Sequence, residues 1–453
     1  MANAAELVME NLRRAGYEAY LVGGCVRDIL LQRTPKDFDV TTNALPEQVT
    51  AIFPRTVPVG AKFGVTVVMV GDEQIEVATY RADGAYTDGR RPDSVEYGKS
   101  AEDDVTRRDF TMNGLLCLGP ADDSSATAYL ASLAKADRYV TVGGKTYGLV
   151  DYVGGYADIE RGVIRAIGDP NKRFEEDALR MIRAVRFAAQ LGFEIEVKTL
   201  EAIENNAHLL KNISSERVAA ELYKMFSAPF PVKGLVPFIG TGLFRYCLPT
   251  EFTTSANVLR MIQRFSKFSS NHDRMLGMGM FFADVASHAD LRLAKHLKLS
   301  NEETEEFVYM NSLVLSFGQH LKGSYEMPEA NIKRYCRQPG LEVALEIMVQ
   351  DEVIGKTNYG MEAVMAFVLK IKALKPEDIK PTPLVTGKDL LADGIPAGPI
   401  FSSILFDVET AQLNGFMTTR DQAMAFVRAR VYQDDRKEWV YDPMHAPGVE
   451  GAI

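Results

Sequence analysis

The sequence is poor in cysteine and has no long apolar run. The four cysteines show no paired spacing along the 453 residues, and they stand at Cys25, Cys117, Cys247 and Cys336. This spacing argues against a disulfide framework and against a zinc site, and it favours a reduced compartment, the cytoplasm. No apolar run approaches the roughly 18 residues that a membrane-spanning helix needs, and the acid-containing amphipathic pattern of residues 1–20 is not typical of a signal peptide. We therefore expect a cytoplasmic protein without a membrane span.

The chain also lacks an excess of positive charge, because its formal net charge at pH 7 is −10. This balance argues against a protein that coats nucleic acid over its whole surface, but it allows a local basic surface. A composition of 46% hydrophobic and 25% charged residues is typical of a globular protein and not of a disordered one. The length exceeds one ordinary core, so we predict two to four domains, or one domain with a helical extension.

Two glycines and two aspartates stand close together in residues 21–42, which read LVGGCVRDILLQRTPKDFDVTT. Gly23 and Gly24 follow an apolar strand pattern and precede a short helix predicted over residues 26–31. Glycine lets the backbone come close to a bound group, and the amino-terminal end of a helix attracts anions. Arg27, in the first turns of this helix, can meet a phosphate as a planar fork of donors. The pattern predicts an anion site at this turn.

Asp37 and Asp39 alternate with apolar residues as in a strand, which places both carboxylates on one face. Paired carboxylates suit Mg²⁺, which prefers oxygen ligands and completes its shell with substrate phosphates. Glu76 stands on a second predicted strand, after the turn at residues 71–72, and could supply the third carboxylate of a two-metal site. Singly, the glycine pair is usually a tight turn, and the acidic residues are usually a solvated strand face. Their occurrence together favours a functional site.

The next segments combine turn residues with arginines. Residues 83–92, DGAYTDGRRP, predict a mobile loop, and mobility beside an active site often means gating. Residues 101–113 predict a helix with acids at its start and Arg107 and Arg108 at its end, where the helix dipole favours them. Arg107 and Arg108 could therefore stabilise the end of this helix or bind a ligand, and the sequence pattern allows both roles. Residues 121–150 are small, polar and turn-rich, and we predict a surface insertion without chemistry of its own.

Residues 168–192 predict one amphipathic helix. Four polar residues recur at intervals of three on the side opposite the apolar ones: Asp177, Arg180, Arg183 and Arg186. A solvated charged face is the usual explanation of helical arginines. Ligand contact is the alternative, because one acid leads three arginines without a lysine. Residues from about 195 to 380 are helical in pattern with several breaks, and the segment from 386 to 430 ends in a further predicted helix.

These segments, in this order, resemble class II tRNA nucleotidyltransferases, the bacterial and eukaryotic CCA-adding enzymes of the DNA polymerase beta superfamily. The resemblance extends from about residue 20 to about residue 430. It rests on LVGGCVRD followed by DFD, on IEVATYR, DGAYTDGRRP, RRDFTMN, RFEEDALRMIRAVRFAAQLGF and ISSERVAAEL, and on GKDLL followed by GIPAGP. The longer stretch at 120–150 and the extension after about residue 432 depart from the family without touching a motif.

By this resemblance, three acidic residues would be catalytic. Asp37 and Asp39 would hold Mg²⁺, and Glu76 would be the third acid near the primer hydroxyl. Gly24 and Arg27 would receive the triphosphate of the incoming nucleotide. The metal ions would align the 3′-hydroxyl with the α-phosphate, and pyrophosphate would leave.

The resemblance assigns six further residues to nucleotide binding. Arg108 would contact the nucleotide, and Asp109 would lie near its ribose. Asp177 and Arg180 would hydrogen-bond the incoming base. Two arginines would support that pocket: Arg183 and Arg186.

The fold implied by the resemblance is α+β, with a small mixed-sheet nucleotidyltransferase head followed by an elongated all-α neck, body and tail. We expect the head over residues 1–150, the neck with the nucleotide-recognition helix over 151–230, the body over 231–380 and a tRNA-binding tail over 381–453. The partners implied are CTP, ATP and the 3′ end of tRNA. The tRNA would be bound mainly through its phosphates and its shape. An acidic chain can do this only if its charge is unevenly distributed.

Several other functions are compatible with parts of this pattern. Bacterial poly(A) polymerase shares much of the amino-terminal sequence. Three features argue against that enzyme: the segment FGVTVV, the loop at residues 83–92 and the segment GKDLL. An A-adding enzyme that works with a separate CC-adding enzyme matches every motif and stays open. A CC-adding enzyme would lack the loop, and a catalytically silent RNA-binding protein would have lost Asp37, Asp39 or Arg108.

Overall fold

The chain forms two compact units. The first holds residues 1–277 and 296–298, and the second holds residues 278–295 and 299–453. The predicted division into head, neck, body and tail is not tested by this twofold division and stays a prediction. The computed structural model describes residues 2–57, 64–82, 96–97, 100–120, 136–249, 255–267, 274–283, 287–433 and 439–443. None of the helices in these ranges is long and apolar enough to cross a membrane.

A mixed sheet lies at the centre of the first unit. Its strands are β1 Ala19–Val22, β2 Asp39–Thr42, β3 Thr56–Val57, β4 Val65–Val70, β5 Glu73–Thr79, β8 Leu116–Pro120, β9 Arg138–Val142 and β10 Lys145–Val150, while β6 Arg81–Ala82 and β7 Glu96–Tyr97 pair separately. The order is β3-β4-β5-β2-β1-β8-β10-β9. Only β2 and β5 run parallel among these neighbours. The predicted α+β class is confirmed.

Helices account for most of the remaining chain. In chain order they are α1 Ala2–Arg14, α2 Gly24–Leu30, α3 Pro46–Ile52, α4 Ala101–Thr106, α5 Gly155–Arg161, α6 Pro170–Glu176, α7 Leu179–Leu191, α8 Val197–Asn206, α9 Ser215–Phe226, α10 Pro231–Gly240, α11 Phe244–Cys247, α12 Ser255–Lys267, α13 Arg274–Phe282, α14 Ser287–His296, α15 Asn301–Leu321, α16 Glu329–Tyr335, α17 Leu341–Val353, α18 Met361–Lys372, α19 Pro376–Ile379, α20 Gly387–Ala392, α21 Ile400–Leu413 and α22 Arg420–Arg430. Two short parallel strands, β11 Val163–Ile164 and β12 Glu194–Ile195, lie among them.

The apolar pattern explains why the sheet is covered by α1. Ala5, Val8 and Leu12 stand on one face of this helix, and all three are buried because the helix packs against β1, β2 and β5. Val40 of β2 and Val77 of β5 are also buried, at neighbouring register positions. The same register places Asp39 opposite Glu76, so burial of the valines fixes the position of the two carboxylate-bearing residues.

Residues 138–150 of the predicted surface insertion belong to the central sheet, and residues 121–135 lie outside the described residues. β9 and β10 form an antiparallel hairpin, and β10 pairs with β8, so these strands extend the central sheet. Leu149 and Val150 are buried there. Gly143 and Gly144 make the turn with φ of 57° and 81°, which glycine adopts without steric cost. The sequence did not predict this hairpin because only one end of β10 is buried, so the strands lack a clear alternation of apolar and polar residues.

Residues 168–192 form two helices instead of the predicted single helix. α6 ends at Glu176 and α7 begins at Leu179. Asp177 between them is extended, with φ −147° and ψ 102°, and its Oδ1 accepts a hydrogen bond of 3.0 Å from the Leu179 backbone N–H. A side chain that caps the next helix competes with continuation of the previous one, which explains the break.

The second unit is helical and ends in a short β-hairpin. Its last helices enclose a core that includes Leu390, Ile404 and Val427. Strands β13 Val431–Gln433 and β14 Trp439–Tyr441 pair antiparallel after α22, and Trp439 packs on this core. Among the described residues after 380, strands β13 and β14 are accordingly the only ones that accompany the helices.

Helix α10 packs closely on α7 because Gly234 has no side chain. A Cβ atom at Gly234 would lie 2.5 Å from the carbonyl oxygen of Val185 and 2.8 Å from Cβ of Ala189, both on α7. A Cβ at Gly240, the last residue of α10, would have no heavy atom within 4 Å. The two glycines therefore provide a matched test within one helix.

We expect Gly234→Ala to lower the free energy of unfolding by about 1–3 kcal/mol, because α7 or α10 must move to admit the methyl group. Gly240→Ala should change it by no more than about 0.5 kcal/mol. Urea unfolding followed by circular dichroism measures both. Equal losses in the two variants would contradict the tight packing of α10 on α7.

Candidate active site

A cleft of about 980 Å³ opens in the first unit, and positive charge predominates along its walls. Five aspartates line it against ten basic residues: Arg27, Arg33, Lys36, Arg107, Arg108, Arg180, Arg183, Arg186, Arg217 and Lys224. A concave surface of this kind attracts a polyanionic ligand. The charge of the chain is thus unevenly distributed, since its total is −10.

The glycine turn lies in the wall of this cleft, as predicted. Gly23 has φ 80°, and a Cβ atom there would lie 3.6 Å from Oδ2 of Asp39 and 3.6 Å from Nη1 of Arg108. α2 begins at Gly24, one residue after the turn. The turn therefore brings unobstructed backbone close to both a carboxylate and a guanidinium.

The predicted acidic residues differ in their positions. Asp39 is half-buried at the start of β2, and Asp37 is exposed and precedes the strand, so the strand begins two residues later than expected. Phe38 and Val40 are buried, in keeping with the predicted alternation. Burial raises the pKa of Asp39 to about 6, the charges of Asp37 and Glu76 add to this shift, and Arg108 opposes it. Negative charge is therefore concentrated where a cation would relieve it.

The carboxylates fit a divalent cation through their charge and their oxygen donors. Asp37 and Asp39 both line the cleft. Within the part of the chain that the structure describes, no three acidic, histidine or cysteine side chains converge closely enough to form a complete ligand set. The third-acid role of Glu76 therefore stays a prediction, and ligand oxygens would have to complete the shell around the aspartate pair.

Asp104 holds the two arginines that follow α4. This side chain is fully buried, and it accepts hydrogen bonds from Arg107 Nε and Nη2 at 3.1 and 3.0 Å and from Arg108 Nη2 at 2.9 Å. Burial alone would raise the pKa of Asp104, but Arg108 and Arg107 outweigh burial and hold it at about 2. The arginines are therefore fixed by a buried carboxylate at the cleft, which is a stronger constraint than the helix dipole.

A chain of hydrogen bonds connects Arg27 to Arg183 through two residues of the segment after α4. Arg27 Nη1 donates to Asn113 Oδ1 at 2.7 Å, and Asn113 Nδ2 donates to Asp109 Oδ1 at 3.0 Å. Arg183 Nε donates to Asp109 Oδ2 at 2.9 Å. Burial raises the pKa of Asp109, but Arg183 and the hydrogen bonds reverse this and hold it at about 2. Asp109 is therefore an anion at neutral pH.

The predicted recognition residues all lie in the cleft wall. Arg180 donates to the backbone carbonyl oxygens of Arg173 at 2.9 Å and of Arg107 at 3.0 Å. Asp177 Oδ2 accepts from Arg217 Nη2 at 2.8 Å. Arg186 is only 7% exposed, which excludes a freely solvated face for this arginine.

Some residues of the site were not identified from the sequence. Asp104 stands four residues before Arg108 and Asn113 four residues after Asp109, and this spacing is the signal that could have identified them. Arg217 and Glu221 belong to the quoted segment ISSERVAAEL, but they received no role. Glu221 Oε2 lies 2.7 Å from Arg186 Nε, so α9 supports the arginines of α7. The loop at 83–92 lies outside the described residues.

The chain was compared with known proteins. Residues 19–165 match a family model described as the Poly A polymerase head domain, and residues 192–251 match one described as a probable RNA and SrmB-binding site of polymerase A. A CCA-adding enzyme of Levilactobacillus brevis is 33% identical over 421 residues, which cover 93% of this chain and 96% of the relative. This chain belongs to the CCA-adding enzyme family. It is therefore a nucleotidyltransferase.

Solved structures of CCA-adding enzymes share the fold. The Bacillus stearothermophilus CCA-adding enzyme in complex with CTP is 30% identical and aligns with a TM-score of 0.70, covering 94% of this chain and 98% of that one. The Thermotoga maritima CCA-adding enzyme complexed with tRNA aligns with a TM-score of 0.61 at 20% identity, covering 93% and 94%. The mixed sheet and the helical remainder are thus those of the class II CCA-adding enzymes.

Proposed function

We propose that this chain adds C, C and then A to the 3′ end of tRNA without a nucleic-acid template, using CTP and ATP and releasing pyrophosphate. The observation that carries the proposal is a single cleft in which Asp39, Arg108 and the Gly23 turn lie together. The relative of Bacillus stearothermophilus, which is 30% identical, is described in complex with CTP. tRNA is the acceptor that the family implies.

The chain's own residues would orient the nucleotide. Gly24 and Arg27 would receive the triphosphate, with Arg27 held in place by Asn113. Arg108 would contact the nucleotide, and Asp109 would lie near its ribose. Asp37 and Asp39, with Glu76 as third acid, would hold Mg²⁺, which supplies charge neutralisation at the phosphates and activation of the primer hydroxyl when bound.

Base selection would rest on two residues at the start of α7. Asp177 would accept a hydrogen bond from the exocyclic amine that C and A share, and Arg180 would donate to a ring nitrogen that both present as an acceptor. U and G present a carbonyl and a ring N–H at these places. The carbonyl would then face the Asp177 carboxylate, which is also an acceptor, and the ring N–H would face Arg180, which is also a donor. Arg217 fixes the Asp177 carboxylate, while Arg183 and Arg186 would support the pocket. Unpaired buried polar groups cost about 1–3 kcal/mol each.

The cellular setting follows from the substrate and from the thiols. A tRNA-processing nucleotidyltransferase would work in the cytoplasm, and all four cysteines are free thiols. Burial raises the pKa of Cys25 to about 11 and that of Cys117 to about 12, so both are unreactive at neutral pH. Reducing conditions suit such a chain.

Product length separates CCA addition from A addition alone, because both would use the cleft described above. Purified protein is given tRNA lacking CCA, or tRNA ending in CC, with CTP alone, ATP alone or both. We expect two nucleotides from CTP on the first tRNA, one from ATP on the second, and three when both nucleotides are present. Addition only to the tRNA ending in CC would identify an A-adding enzyme, and a long A tail would identify a poly(A) polymerase.

We expect Asp39→Asn to reduce the rate of nucleotide addition by at least about 10³-fold, because the loss of a metal-binding charge removes several kcal/mol of transition-state stabilisation. Binding of tRNA should be nearly unchanged, since phosphate contacts remain. The matched control is Asp72→Asn, at an exposed turn of the same sheet, which should retain full activity. Robust addition by the Asp39 variant in Mg²⁺ would contradict the assigned metal site.

We expect Asp177→Asn to relax base selection and raise the use of UTP and GTP relative to CTP by about tenfold, because the amide offers a donor to their carbonyl groups. The amide oxygen can still cap α7, but the amide NH2 would face Arg217 Nη2, so the melting temperature is recorded to separate base choice from folding. The control is Asp169→Asn, because Asp169 caps α6 and does not line the cleft. Incorporation of each labelled nucleotide is measured on tRNA lacking CCA, to which CTP is the first addition. A slower rate with unchanged preference would exclude Asp177 from base selection.

A further inference from the structure

Three guanidinium groups of the cleft surround one aromatic ring. The Cζ atom of Arg186 lies 3.7 Å from the centroid of the Phe187 ring, that of Arg27 lies 5.2 Å from it, and that of Arg183 lies 5.3 Å from it. These arginines belong to two elements, α2 and α7. Phe187 is 4% exposed and lines the cleft, so water screens its contacts with the buried Arg27 and Arg186 little.

The three arginines repel one another, although each lies beside a carboxylate: Arg27 beside Asp28, Arg183 beside Asp109 and Arg186 beside Glu221. Burial lowers the pKa of Arg186 to about 10, and the charges of Arg183 and Arg27 contribute to this shift while Glu221 opposes it. Nε of Arg186 lies 2.7 Å from Glu221 Oε2, but it is buried without an aligned hydrogen bond. The carboxylate of Glu221 therefore does not by itself fix the position of the Arg186 guanidinium.

The ring itself is held in a defined orientation. Phe110 meets it edge to face, with the ring centroids 5.8 Å apart and the planes at 86°. Phe110 is fully buried and follows Asp109 directly. Because an aromatic face attracts cations most strongly when water is excluded, a ring fixed in this way can hold cations that otherwise repel one another.

We propose that Phe187 is a positioning residue that gathers Arg27, Arg183 and Arg186 through the face of its ring, so that an incoming nucleoside triphosphate meets them as a preformed set. The inference rests on the proposed function for the identity of the ligand. It assigns the phenylalanine a role in nucleotide affinity that is separate from filling the core.

The test varies the charge distribution of the ring while keeping its shape. Phe187 is replaced in the full-length chain by 4-fluorophenylalanine and by 3,4,5-trifluorophenylalanine, which weaken the attraction of the ring for cations in steps. Dissociation constants for CTP and for inorganic tripolyphosphate are measured by titration calorimetry without tRNA. We expect both to rise stepwise, by about tenfold for the trifluoro ring. Phe187→Tyr should bind nearly as the parent chain does.

The control introduces the same trifluoro ring at Phe238, a fully buried residue of α10 that does not line the cleft, and it should leave both dissociation constants unchanged. Melting temperatures are recorded for every variant. Unchanged affinity in the fluorinated Phe187 variants, or an equal loss in the Phe238 variant, would overturn the inference. If the parent chain binds CTP but does not extend tRNA, the proposed function fails while this test still decides the inference. Failure of the parent chain to bind either probe would overturn both.

Discussion

The cleft depends on the pairing of buried arginines with carboxylates that come from other parts of the chain. Arg183 of α7 pairs with Asp109, and Arg186 lies against Glu221 of α9. Removal of one partner from such a pair leaves an uncompensated buried charge, which costs about 3–5 kcal/mol. The position of each arginine is therefore tied to correct packing of the sheet and the surrounding helices. The positive surface that faces the ligand is a product of tertiary structure, because the residues that form it are spread along the sequence from Arg27 to Lys224.

The parts of the site predicted from the sequence are those that depend on local chemistry. A glycine pair before a helix predicts a turn with open backbone, and Gly23 adopts it. The resemblance selected Asp39, Arg108 and Arg183, and the structure brings all three into one cleft. Their individual roles follow from the resemblance and from the proposed mechanism, and they await the experiments above.

The features that sequence analysis missed depend on contacts between distant segments. The break at Asp177 was hidden because the apolar spacing continues across it, while the cap that ends α6 is visible only in three dimensions. Phe187 received no role from the sequence, because nothing in its neighbourhood along the chain shows that Arg27 lies over the same ring. The hairpin of β9 and β10 was missed since one of its strands is mostly exposed. Periodicity predicts which residues are buried, but it does not identify what they are buried against.

The two edges of the central sheet have unequal lengths, and this difference affects how the protein behaves at high concentration. β3 has two residues, whereas β9 has five and keeps one side of its backbone without a strand neighbour in the described sheet. Open strand edges are templates for pairing between molecules, and charged residues at such an edge discourage that pairing. Arg138 stands at the start of β9, and its guanidinium lies 4.4 Å from the ring centroid of Tyr156. Arg138 is therefore the charged residue of β9 that discourages pairing between molecules at this edge.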